Sequence, residues 1–172
     1  MRRILLSCAS VAVLLLPAAA GARVSAHAKS RPGYLVVRKA AGDGGHPVIT
    51  LVVKGFVLGR VSPNKQAQID IYHLPRAGHA PQVVGDVSPV PVTWRGRVPG
   101  MEYNGSGFRF RAIGGYYRVV VRGAGVYLFA GGHGTVRLRG SSFAGSGGTY
   151  SLDGAAPRSM PTRTLKRDLG RG

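Results

Sequence analysis

Arginines in the second half of this chain recur with a period of two, and that spacing excludes most folds. Arg95/Arg97, Arg109/Arg111 and Arg137/Arg139 are spaced i, i+2, and Arg118/Arg122 are spaced i, i+4. Side chains alternate between faces in an extended chain, so each pair points one way. Parity places apolar residues opposite them. Phe108 and Phe110 oppose Arg109 and Arg111; Tyr117, Val119 and Val121 oppose Arg118 and Arg122; Val136 and Leu138 oppose Arg137 and Arg139. Strands of this kind need cover on one side and water on the other.

No segment sustains a 3.6-residue period, so the expected fold class is all-β. YLVVRK (34–39), Val48 to Val61 and Ala67 to Leu74 read as strands, with Gly55 at a bulge or bend and a short strand near Val83-Val84. Val92 to Val98 resumes the pattern, followed by FRFRAI, YYRVVVR, VYLFA, TVRLR and TYSLD. Glycines at 107, 115, 123, 131 and 140 cut this stretch into strand lengths, and Gly114-Gly115 predicts a two-residue hairpin. The expected architecture is an antiparallel β-sandwich or partly closed barrel, with a C-terminal glycine-punctuated meander. A β-solenoid is the alternative, but the four or so units differ in side-chain pattern.

The amino terminus has the layout of a secretory signal peptide. Arg2 and Arg3 precede an apolar run from Ile4 to Leu16, then Pro17 and a series of alanines, with a cleavage pattern ending at Ala26. Cys8 sits before most of that apolar run, so it reads as part of the signal and not as a lipidation site. The expected organisation is a signal peptide over 1–26, a flexible lead-in over 27–33, a β-sandwich domain over 34–154 and a basic tail over 155–172. Thr162 to Leu165 is an alternative last edge strand. The mature chain would then be cysteine-free, without disulfides, and would carry no transmembrane span, since Val48 to Val61 is interrupted by Lys54, Gly55, Gly59 and Arg60.

The whole chain has 24 Lys and Arg against 6 Asp and Glu, a formal charge of +18. Cleavage after Ala26 removes Arg2, Arg3 and Arg23 and no acid, leaving +15. Such a balance favours polyanionic partners. The polyanion-binding candidates are Arg95, Arg97, Arg109, Arg111, Arg118, Arg122, Arg137 and Arg139, with Tyr127 and Phe129. In VYLFA, a core position for Val126 and Leu128 would turn Tyr127 and Phe129 to the arginine side, separating like charges on neighbouring strands. The bland reading is a solvated polar face. Most aromatics point inward, so a base-stacking nucleic-acid surface is disfavoured. Partners would be anionic envelope polymers or a membrane surface, and Arg118→Gln with Arg122→Gln would weaken binding without unfolding.

Catalytic patterns are thin. His27, His46, His73, His79 and His133 lack metal-ligand spacing on one element, and no cofactor motif is present. His73 shares a face with Ile69 and Ile71, where a buried, hydrogen-bonded histidine is expected. The acids Asp43, Asp70, Asp86, Glu102, Asp153 and Asp168 are scattered and read as salt-bridge partners. Gly131-Gly132-His133-Gly134 and Gly140 to Ala144 lack a following helix and read as hairpin turns.

GSGFRFRAIGGYYRVVVRGAGVYLFAGGHGTVRLRG (105–140) and TYSLDG (149–154), with LVVKGFVLGRV and IDIYHLP upstream, resemble uncharacterised exported all-β proteins of high-GC bacteria. The resemblance spans most of residues 50–170 and implies an exported all-β domain, with no activity attached. The function expected is a non-enzymatic exported domain of the cell envelope or extracellular space that binds anionic polymers. A structural or adhesive subunit is the alternative, and an envelope hydrolase a more remote one.

Overall fold

Residues 31–38, 47–74, 78–140 and 148–170 are described by the computed structural model. The expected signal peptide, Cys8, His27, Asp43 and His46 lie outside them. The described residues form strands β1 (Gly33–Arg38), β2 (Val48–Val61), β3 (Ala67–His73), β4 (Gln82–Val84), β5 (Ser88–Trp94), β6 (Val98–Gly105), β7 (Arg109–Gly123), β8 (Val126–Arg139), β9 (Thr149–Leu152), β10 (Arg158–Ser159) and β11 (Leu165–Leu169). All pairings are antiparallel, in one sheet of order β10-β9-β1-β8-β2-β7-β3-β6-β5, with β11 beside β8 and β4 beside β7. The all-β antiparallel expectation is what the structure shows, and the sheet does not close into a barrel. No helix among the described residues is long and apolar enough to cross a membrane.

Three long strands, β2, β7 and β8, build the centre, and a row of glycines crosses them. Gly55 of β2 pairs with Gly115 of β7 on one side and Gly132 of β8 on the other, and Gly132 pairs with Gly33 of β1. A Cβ on Gly55 would strike the Gly131 carbonyl oxygen, so the backbones approach here closer than any side chain allows. On β7 the row coincides with a bulge. Gly55 pairs with Gly115 but Phe56 pairs with Ile113, leaving Gly114, at φ +71°, as the extra residue. The bulge resets parity: Phe108, Phe110 and Ala112 are buried before it, and Tyr117, Val119 and Val121 after it.

This crease divides the sheet into two halves. The β1 half comprises β10, β9, β1, β4 and the crease-to-end segments 56–61, 109–113 and 126–131 of the long strands. The β3 half comprises β11, β3, β6, β5 and segments 48–54, 116–123 and 133–139. Both halves contribute to a single core, with Leu35, Val57 and Phe108 from one and Leu51, Ile69 and Val119 from the other fully buried. No helix among the described residues is available to cover that apolar face. Both halves turn their apolar side chains into that one core, with the glycine crease between them.

Several sequence expectations change. Gly114-Gly115 and Gly131–Gly134 are not hairpin turns but the points where β7 and β8 cross the crease. The strands bearing the arginines are not successive neighbours, because β2 lies between β7 and β8. Arg95 and Arg97 share no strand. Arg95 (φ +53°) and Gly96 (φ +65°) form the turn between β5 and β6. The segment expected as a loose basic arm from 155 onward supplies β10 and β11, and Leu169, at 2% exposure, anchors it in the core. His73 is not hydrogen-bonded through its buried Nε2; its ring stacks on Tyr117 at 5.3 Å instead.

Candidate functional site

The outer surfaces of the two halves use their arginines differently. On the β3 half, Arg122 Nη1 donates to Asp70 Oδ2 at 2.7 Å. Asp70, 4% exposed, also accepts from the Gln68 amide at 3.0 Å; that amide bridges to Glu102 at 2.8 Å, and Glu102 accepts from Asn104 at 2.7 Å. Cross-strand register explains the network, since Gln68, Asp70 and Tyr72 of β3 face Arg122, Val120 and Arg118 of β7 and Asn104, Glu102 and Gly100 of β6. Arg118 lies between two rings, 4.9 Å from the centre of Trp94 and 5.3 Å from that of Tyr72. Burial lowers its pKa against the opposing pull of Tyr72 and Asp70, with Arg122 and Arg137 adding to the fall, while burial and then Asp70 raise that of the Tyr72 phenol. These arginines are components of the surface they stand on.

Arg137 and Arg139 are exposed on the far side of β2, with Val48, Thr50 and Val52 separating their strand from β7. Lys166 of β11 stands directly opposite Arg137. Arg95 covers the Trp94 ring at 4.9 Å, and Arg97 is exposed at the same turn.

The β1 half is built in three cross-strand rows. Farthest from the crease, Arg60 of β2 faces Tyr127 of β8 on one side and Arg109 of β7 on the other, and Arg109 faces Val84 of β4. In the middle row, Val36, Phe129, Leu58, Arg111 and Gln82 follow one another across five strands. Next to the crease, Tyr34, Gly131, Phe56 and Ile113 do the same. Arginine gives way to aromatic and aliphatic side chains along the strands.

Aromatic packing holds this surface. Phe129 stacks on Tyr34 with ring centres 6.0 Å apart and meets Phe56 edge-on at 5.1 Å. Phe56 and Tyr34 lie over Gly131, where a Cβ would meet both rings. Arg60 covers Tyr127 at 4.4 Å, and Arg111 Nε donates to Gln82 at 2.7 Å. A shallow groove of about 530 Å³ runs between Val36, Leu58 and Phe129, with Arg38, Arg60 and Arg109 at its rim.

No strand of this half contains an acid. Asp86 and Asp153 lie in adjoining turns, and Asp153 accepts the Tyr34 backbone N–H at 2.8 Å. Arg60 and Arg109 thus oppose each other directly, with no carboxylate on the strands of their face among the described residues, an arrangement that costs stability.

The structure brings Arg109, Arg111, Tyr127 and Phe129 onto one face and separates them from Arg118, Arg122, Arg137 and Arg139, so Tyr127 and Phe129 do not stand between those two arginine pairs as expected. Arg38 and Arg60 were missing from the sequence candidates. Parity could have found both: Arg38 follows Tyr34 and Val36 at steps of two, and Arg60 follows Phe56 and Leu58. No group of three or more His, Cys, Asp or Glu that could hold a metal occurs among the described residues. No family model matches the chain, and neither a curated protein nor a solved structure is significantly similar to it.

Proposed function

We propose that this chain is an exported, non-enzymatic binding domain that captures anionic groups at the cell envelope through the outer surface of its β1 half. One observation carries the reading: Arg60 and Arg109 are opposed across strands, flanked by Arg38 and Arg111, on a face whose strands contain no acid. A surface serving only solubility has no use for this repulsion, and an alternation of signs would relieve it. An incoming phosphate or carboxylate relieves it as well, and arginine can bind either in a bidentate fashion. Arg118 and Arg122 of the β3 half give less reason for such binding, because Asp70 and the Trp94 and Tyr72 rings already occupy them, and Arg137 and Arg139 stand beyond β2 without an apolar groove of comparable size among the described residues.

A structural subunit that grows by strand addition has less support. The outer edge strand β5 carries Pro89 and Pro91, which lack the N–H groups a new strand would need, and β10 spans two residues. The test is binding of long-chain polyphosphate across a salt series. The expected result is steep weakening with salt and a loss of about fivefold for each of Arg60→Gln and Arg109→Gln, with folding intact. Salt-independent binding, or none, would overturn the reading.

A further inference from the structure

The three rows of the β1 half present more than charge. Rows two residues apart along a strand are about 6.7 Å apart, so the passage from Arg60 and Arg109 to Phe56 and Ile113 takes about 13 Å. Among the described residues, seven large hydrophobics are exposed: Tyr34, Val84, Val90, Met101, Ile113, Tyr116 and Phe129. Tyr34, Val84, Ile113 and Phe129 belong to this one surface, and Tyr116 borders it across the crease, opposite Lys54. A hydrophilic polyanion, such as an anionic polysaccharide or polyphosphate, would neutralise the arginine row and leave the apolar row in water.

We infer that the partner of this face is an anionic lipid surface, with Arg38, Arg60, Arg109 and Arg111 on the headgroup phosphates and Tyr34, Phe129 and Ile113 at the headgroup–acyl boundary. The inference rests on the anion-binding reading above and names its partner. Interfacial binding combines attraction to anionic headgroups with burial of apolar surface about 5–10 Å deep, a depth within the 13 Å that separates the two kinds of row. Tyrosine suits such a boundary because its ring is apolar and its hydroxyl stays wet. Arginine stems reach along the groove walls while their guanidinium groups remain at the rim. The groove floor of Val36, Leu58 and Phe129 gives a lipid's glycerol backbone an apolar bed beside those arginines. The crease end would therefore sit deeper than the Arg109 end.

Two probes used in parallel test this: vesicles of phosphatidylcholine with a one-third share of phosphatidylglycerol, and polyphosphate. The mature chain, without residues 1–26, is expected to co-sediment with the mixed vesicles and not with phosphatidylcholine alone. Tyr34→Ala with Ile113→Ala is expected to weaken vesicle binding about tenfold or more and to leave polyphosphate binding within about twofold. Phe129→Trp adds a readout of depth, since its emission should shift to the blue on mixed vesicles and not on polyphosphate. Polyphosphate binding without vesicle binding would assign the face to an anionic polymer and overturn the lipid inference alone. Equal losses on both probes, or no blue shift on vesicles, would do the same. Failure of the wild-type protein to bind polyphosphate would overturn the anion-binding reading itself.

Discussion

The β1 and β3 halves share three strands, one core and a similar number of outward arginines, yet those arginines have different fates. In the β3 half, Asp70 enters from β3 to hold Arg122 and the Trp94 and Tyr72 rings cover Arg118, while Arg137 and Arg139 stay exposed beyond β2. In the β1 half no strand brings an acid, so Arg60 and Arg109 remain opposed. Alternation along a strand assigns a residue to a face, and the neighbouring strand decides whether that residue is consumed or left available. A count of arginines cannot separate the two cases.

The largest effect expected comes from erasing the boundary between the halves. Gly55→Val would drive its Cβ into the Gly131 carbonyl, and no rotamer relieves a clash with backbone. A loss of about 3 kcal/mol or more is expected, seen as an unfolded chain by circular dichroism. Gly96→Ala, at the β5–β6 turn where nothing lies within 4 Å of the new methyl, should cost only about 1 kcal/mol through its positive φ.

Next in size is the counter-ion of the β3 half. Arg122→Gln leaves Asp70 buried without its cation and should destabilise by about 2 kcal/mol in denaturant titrations, the partial exposure of the arginine tempering the cost. Double substitution of Arg122 and Asp70 by Gln and Asn should recover part of that loss, because the unpaired charge is gone.

Alkaline pH should find the same half first. Burial raises the phenol pKa of Tyr72, Tyr103 and Tyr117 above the usual value of about 10. The unfolded chain then releases these protons before the native one does. Their contribution to stability is full below pH ~10 and is lost as pH rises through the raised native values. Trp94, the one tryptophan of the chain, lies 6.5 Å from Tyr72 and should report the change by fluorescence. Tyr72→Phe should reduce the alkaline loss. An unchanged profile in that variant would remove Tyr72 from the account.

The smallest effect on stability, and the most telling in sign, belongs to the β1 half. Arg60→Gln removes a like-charge opposition along with a stack on Tyr127, so its melting temperature should stay level or rise by about 1–2 °C. A clear fall would mean that Arg60 is structural, as Arg122 is.

Much of this was legible in the chain. Period two gave the strands and the facing of Phe108, Phe110, Val119, Val136 and their opposed arginines, because strand parity is a local property. Gly55 was recognisable as a bend for the same reason. The crease was not legible: a glycine row is a cross-strand object, and along one strand Gly115 and Gly131 look like turns. Pairing order was hidden too, so Tyr127 and Phe129 were expected to shield Arg118 from Arg137, a place that Thr50 and Val52 of β2 occupy. The site split along the same line. Arg109 and Arg111 were found by parity, whereas the capture of Arg122 by Asp70, 52 residues away, depends on register that no local pattern carries.

The most direct test pairs two double variants, Arg60→Gln/Arg109→Gln and Arg118→Gln/Arg122→Gln, measuring thermal stability and polyphosphate affinity at low salt in each. The β1-half pair is expected to keep its melting temperature and lose more than about tenfold in affinity. The β3-half pair is expected to melt several degrees lower, about 4–8 °C, and to retain affinity within about threefold. Equal losses of affinity in both, or a fall in stability confined to the β1-half pair, would contradict the division of labour between the two halves.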